Sequence, residues 1–234
     1  MTDIDTELVD ELLALTVAGD SFLVVERLHA EADPERAART FAGLARRLYQ
    51  QNSLAQSVAM RRACLQYCLC PPHADPVQRH ALREFASKQS YNLAADTWPG
   101  WGQEGIVCTA SDLDAGLDAA RLHLRLVHEL QRGPLQRSHA HWVLGAHWLA
   151  RAEYNRASAE FERAAEHASA AQNADAAQLN VGYAALVGVL RGDPRAEGEL
   201  ARIVEALQNV SDSEDAPFFA EQLLKARGVF RSSA

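Results

Sequence analysis

Apolar residues return along this chain at steps of three and four. Ala37, Phe41, Leu44 and Leu48 form one such stripe, and Leu113, Leu117, Ala120, Leu124 and Val127 form a longer one. Steps of that size stack side chains on one face of an α-helix. Alternation of period two is not sustained anywhere, and the apolar run Ile106-Val107-Cys108 is too short to seed a sheet. The pattern predicts an all-α chain of about ten or eleven helices, near 5–17, 20–31, 34–50, 53–69, 76–95, 112–132, 137–151, 154–171, 174–191, 194–208 and 217–228.

Punctuation residues fall between these stripes. Asp33-Pro34, Asp75-Pro76 and Asp193-Pro194 each offer an N-cap oxygen followed by a ring whose missing N–H costs nothing in a first turn. Ser111-Asp112-Leu113-Asp114 has capping-box spacing, and Gly133-Pro134 reads as a helix stop with a left-handed glycine. Connections this short make successive helices antiparallel neighbours. The exception is the non-helical insert 97–110, which holds Trp98-Pro99-Gly100-Trp101-Gly102. Its apolar Trp98, Trp101, Ile106 and Val107 need cover, so the reading is one domain, 1–234, with the insert packed inside it. The alternative is two sub-layers, 1–96 and 111–234, joined by 97–110.

In segment 138–171, Leu144-Gly145 precede Trp148, and Ala152-Glu153-Tyr154, Ala157, Phe161 and Ala164 follow. In this register the segment resembles one tetratricopeptide (TPR) repeat, in which small residues let two helices touch and large ones fill the gap beside them. His141 and Ser169 depart from the family pattern, standing where an aromatic and a proline are usual. Downstream, Gly192-Asp193-Pro194 resembles the inter-helix turn of a second unit, with Gly182, Tyr183 and Gly188 in its first helix. Upstream, Phe41, Leu44, Ala45, Leu48 and Leu54 resemble a third, with Arg61 where an aromatic would pack. The resemblance implies a TPR-like α-solenoid of antiparallel hairpins, since one unit cannot bury its apolar face alone. It further implies a groove lined by the first helix of each unit, here His139, Trp142, Ala146 and Leu149. The segment from Pro217-Phe218-Phe219 through Leu223-Leu224 would cap the stack.

Net charge is −8, which disfavours nucleic acid, since that ligand calls for a clustered positive face. Only Lys88 and Lys225 are lysines, so the basic residues are almost all Arg, a usage typical of GC-rich bacterial genomes. The longest apolar run, 181–190, is too short to span a bilayer, and the acidic start lacks a signal-peptide pattern. A cytoplasmic protein without a membrane partner is expected. The four cysteines, Cys64, Cys68, Cys70 and Cys108, are too sparse for a disulfide framework.

Candidate chemistry is thin. Cys64, Cys68, Cys70 and His73 lie close together, but a structural zinc site draws its ligands from two separated pairs, and Met60, Cys64 and Tyr67 read as a core stripe. His123 and His128 diverge around their helix, and no nucleophile elbow or phosphate loop is present. Neither metal nor cofactor nor catalysis is expected, with a Cys108–His pair as the remaining enzymatic reading. The function this predicts is a scaffold binding a protein or peptide, with Trp98 and Trp101 as further contacts. The alternative is a ligand-sensing regulatory domain with a small-molecule pocket beside the Trp98–Trp101 loop.

Overall fold

A computed structural model describes residues 6–72, 74–210 and 213–232. Among them are eleven α-helices and no strand. They are α1 (Thr6–Val17), α2 (Ser21–His29), α3 (Pro34–Gln50), α4 (Leu54–Leu69), α5 (Pro76–Asp96), α6 (Ala110–Glu129), α7 (Pro134–Ala150), α8 (Tyr154–Ala170), α9 (Ala174–Leu190), α10 (Ala196–Gln208) and α11 (Asp215–Ser232). A single 3-10 turn, Pro99–Trp101, interrupts the insert. The all-α class is therefore the fold of the chain.

Helix starts follow local chemistry. Asp33 accepts from the N–H groups of Glu35 (2.9 Å) and Arg36 (3.2 Å), and Asp75 forms a reciprocal box with Gln78. The box expected at Ser111–Asp114 is formed instead by Thr109 and Asp112, because α6 begins earlier, at Ala110. There the Thr109 N–H donates to Asp112 Oδ2 at 2.9 Å and the Asp112 N–H to Thr109 Oγ1 at 3.2 Å. Asp193 accepts from the Arg195 N–H at 2.9 Å, and the helix expected to start at 194 begins two residues later, at Ala196.

Six helix ends close in one way. Gly19, Asn52, Gln131, Ala152, Gln172 and Gly192 take left-handed φ, and the next residue's N–H reaches back across the last turn. Examples are Ser53 to Leu48 O (2.9 Å), Glu153 to Trp148 O (3.0 Å) and Asn173 to Ala168 O (3.0 Å). This Schellman arrangement satisfies orphan carbonyls and turns the chain tightly. The left-handed residue before α7 is thus Gln131, not Gly133. Gly133 is extended (φ −66, ψ 174) because Pro134 excludes helical geometry from its predecessor.

The chain divides into two compact units, residues 1–97 with 105–126, and residues 98–104 with 127–234. In the first, α3 packs on α4 and α5, α4 on α5, and α1 on α3. Phe41, Leu44, Leu48, Met60, Cys64, Tyr67, Leu82 and Leu93 are nearly or completely buried at its centre. In the second, α7, α8, α9, α10 and α11 pack successively, and α11 also returns to α9. Helices α7, α8 and α9 are each 17 residues long and begin at 134, 154 and 174. That gives 40 residues per hairpin, longer than the ~34 of a TPR unit.

Close approach of helices is paid for by small residues. A Cβ on Gly145 would lie 2.9 Å from the Phe161 ring, and one on Gly182 would lie 2.5 Å from Leu223. Ala157 and Ala164 are fully buried in the α7–α8 hairpin. There Ser138 Oγ donates to Ala164 O at 2.8 Å, which removes an unmet hydroxyl from the contact.

Candidate functional site

In the second unit the aromatic side chains gather around the insert. The Trp98 ring is 1% exposed and lies 5.0 Å from Trp101, 5.6 Å from Trp142, 5.9 Å from Tyr183 and 6.2 Å from Phe230, centre to centre. Most of these pairs meet edge to face, the arrangement favoured by the ring quadrupoles. Trp98 Nε1 donates to Ala146 O at 3.0 Å, so the polar end of the indole is fixed to α7. Gly100 is a glycine because the Trp98 ring occupies the place of its Cβ, which would lie 2.2 Å away. Its backbone is helical, and the left-handed residue of the turn is Gly102 (φ 53). The turn is therefore anchored on the very stretch of α7 expected to face a partner.

That packing decides the fate of the expected groove. Trp142 is 5% exposed, and Ala146 and Leu149 are buried. Only His139 among the four α7 residues is exposed, and Trp101 is half-buried. Burial nonetheless lowers the His139 imidazole below its ordinary value, because neighbouring atoms crowd a ring that still reaches solvent. An open face along 139–149 is thus not presented: Trp98 and Trp101 contact Trp142 from within the chain.

Beside this cluster lies a polar one that the sequence did not disclose. His141 Nδ1 donates to Glu160 Oε2 at 2.6 Å, and Arg163 donates to Glu160 Oε1 at 2.7 Å. The His167 ring stacks on His141 at 5.3 Å with 18° between planes. Burial, then the neighbouring His141 and Arg137, hold His167 below its ordinary value. Position 141 is thus filled by a stacked and hydrogen-bonded imidazole.

The first unit buries charge. Arg61 is 5% exposed and donates through Nε to Asp96 at 2.7 Å and through Nη1 to Gln89 at 2.9 Å. Asp96 is nevertheless raised above the ordinary carboxyl value, because desolvation outweighs the attraction of Arg61. Tyr49 is pushed up to about 12 by burial and then by Asp96. Cys108 is half-buried, and burial followed by Asp112 pushes its thiol up to about 11. A nucleophilic cysteine needs the opposite shift. His123 is buried, with Nδ1 2.8 Å from Ser87 O and its ring 5.4 Å from Tyr91, so it bridges α5 and α6.

Cys64 and Cys68 are buried on one face of α4, and Cys70 is exposed. The Cys64 thiol is pushed up by its hydrogen bond to Cys68 and by burial. His73 lies outside the described residues. No group of three or more His, Cys, Asp or Glu placed to hold a metal occurs among the described residues, and none of their helices is long and apolar enough to cross a membrane.

No protein family, curated protein or solved structure matches this chain.

Proposed function

We propose that the chain is a non-catalytic, TPR-like scaffold that binds a protein or peptide partner in a bacterial cytoplasm. The observation that carries this reading is the nesting of α7 on α8 in the register of the resemblance, with Gly145 against Phe161 and with Ala157 and Ala164 fully buried. Stacked hairpins of this kind offer extended surfaces rather than a reaction centre. The acidic balance favours basic or apolar segments and speeds their encounter.

Because the Trp98–Trp101 turn covers Trp142 and Ala146, the partner contacts lie elsewhere on the second unit. His139 and Trp101 keep some solvent access. Larger apolar side chains stand out on α9 and α11, with Val181 at 42%, Phe218 at 55% and Leu224 at 42% exposure. Among them Phe218 is the best anchor, because aromatic rings are enriched at protein interfaces.

The test is to pan a displayed library of random peptides against the full chain and to measure the enriched sequences against a Phe218→Asp/Leu224→Asp variant. Basic or apolar peptides should be selected, and the variant should bind them at least ~tenfold more weakly with an unchanged melting temperature. Failure to enrich any peptide, or equal affinity for the variant, would reject the scaffold reading on this surface.

A further inference from the structure

Two imidazoles face each other across the α7–α8 hairpin. His141 of α7 and His167 of α8 stack at 5.3 Å with 18° between planes. A link one turn earlier on each helix sets their position, since Ser138 Oγ donates to Ala164 O at 2.8 Å. Ala164 is fully buried, so the helices are close-packed beside the rings. His141 is 7% exposed and donates through Nδ1 to Glu160, which leaves Nε2 to take up acid. The Glu160 side chain, 12% exposed, is already answered by this imidazole and by Arg163 at 2.7 Å. His167 is half-buried. The titratable and charged groups acting on it are His141 and Arg137 of α7, Glu166 of α8 and His128 in the last turn of α6. Helix α9, also packed on α8, carries Asp175 in its first turn and Tyr183 stacked on Phe161.

We propose that this ring pair is an acid-responsive latch: the stack accepts one proton, and a second forces the rings apart and loosens the α7–α8 hairpin. Two imidazolium rings face to face repel, and the buried carboxylate beside them, Glu160, is already engaged by two donors. Arg137 and His128 add positive charge rather than relief, and Glu166 is exposed, where solvent and salt screen it. Burial first, then His141 and Arg137, hold His167 below the ordinary imidazole value of 6.5. The unfolded chain keeps that ordinary value, so it binds more protons than the folded one once the pH falls below it. The contribution to stability is therefore full above 6.5 and is lost as the pH drops toward the lower, folded value. The hairpin is tightest near neutrality and weakens in mild acid. This holds whether or not the second unit binds a peptide.

The test is an NMR titration of the histidine rings of the full chain from about pH 7.5 to about pH 4.5, with amide hydrogen exchange measured at the two limits. The His141 and His167 signals should each register two steps, separated by at least about one pH unit, because coupled rings report each other's protonation. In His167→Phe, which keeps a planar ring and takes no proton, the His141 signal should move in one step. Amides of α7 and α8 in the parent should lose protection about fivefold in acid, after correction for intrinsic exchange, and those of the variant should keep it. The acid loss of melting temperature should also be smaller in the variant, by about 2–4 °C. The other histidines are common to both proteins, so this difference belongs to the pair. Position 167 is half-buried and tolerates the change, and the parent titration decides the coupling without it. Three results would overturn the proposal. They are single-step titration of both rings in the parent, α7–α8 protection unchanged in acid because His167 swings into solvent alone, and an acid loss of protection equal in His167→Phe.

Discussion

Two hairpins of this molecule are built on one plan and filled with opposite chemistry. Helices α3 and α7 are both 17 residues long, and α4 and α8 begin after the same left-handed turn, at Asn52 and Ala152. Their positions correspond at an offset of one hundred residues. In the second-unit hairpin Phe161 is fully buried and stacks on Tyr183 at 5.0 Å. In the first-unit hairpin the equivalent position is Arg61, bonded to Asp96 and Gln89. Gly145 corresponds to Ala45, whose carbonyl accepts from Ser57 Oγ at 2.8 Å. Even the lateral hydrogen bond is mirrored. Ser138 of α7 donates to Ala164 O of α8, whereas Cys64 of α4 donates to Ala38 O of α3 at 3.6 Å.

The difference shows what a hairpin of this kind demands. It requires a tight turn, close helices and a filled gap; it does not require that the gap be filled by an aromatic ring. The two fillings differ in their failure modes. An aromatic contact loses area when truncated, while an ion pair leaves a stranded charge. The largest effect should therefore come from Arg61→Ala, which strands the Asp96 carboxylate, only 16% exposed. Urea unfolding should report a loss of about 3–5 kcal/mol. The double change Arg61→Met/Asp96→Leu should recover most of that loss, because it removes both charges and keeps the volume. A single change costing no more than a surface substitution would show that the pair is solvated and that the two hairpins do not differ in this respect.

The sequence made much of this plan legible, and the boundary of that legibility is physical. Helix starts at Pro34, Tyr154 and Ala174 were readable because their signals sit within a few residues of the event they cause. The small residues of α7 and α8 were readable because the helical period fixes which face they share. The landing site of Trp98 was not, because Ala146 lies 48 residues away and no local pattern encodes it. Arg61 stood out as a misfit where an aromatic would pack, yet its partners lie 28 and 35 residues downstream. Burial of Trp142 follows from the same long-range contact. A helix with one polar stripe can be read as facing solvent, but α7 is buried along nearly its whole second half, which periodicity alone cannot foretell.

A smaller effect separates the hairpins at the helix contact itself. Gly145→Leu gains helix propensity of less than about 1 kcal/mol. Against that, its side chain would enter space held by the Phe161 ring, which is fixed in turn by Tyr183. Overpacking of a buried contact costs about 1–3 kcal/mol, so the variant should melt lower. A melting temperature equal to that of the parent would reject the register assigned to α7 on α8.

The smallest effect concerns the turns and has the opposite sign. Ala152 holds φ 56, where its Cβ crowds the following carbonyl at a cost of about 1–2 kcal/mol. Glycine removes that crowding but enlarges the unfolded ensemble, which offsets about 0.4–1 kcal/mol. Ala152→Gly should therefore stabilise the chain by about 0.5–1 kcal/mol. The α9–α10 turn already uses this solution, since Gly192 holds φ 80 with nothing within 4 Å of an added Cβ. Gly192→Ala should consequently lose what Ala152→Gly gains, by strain alone and without any steric clash. Measured together by thermal melting, the two substitutions isolate backbone conformation from packing. If both shift stability in the same direction, the turns do not share a left-handed closure and the correspondence between the hairpins ends at their helices.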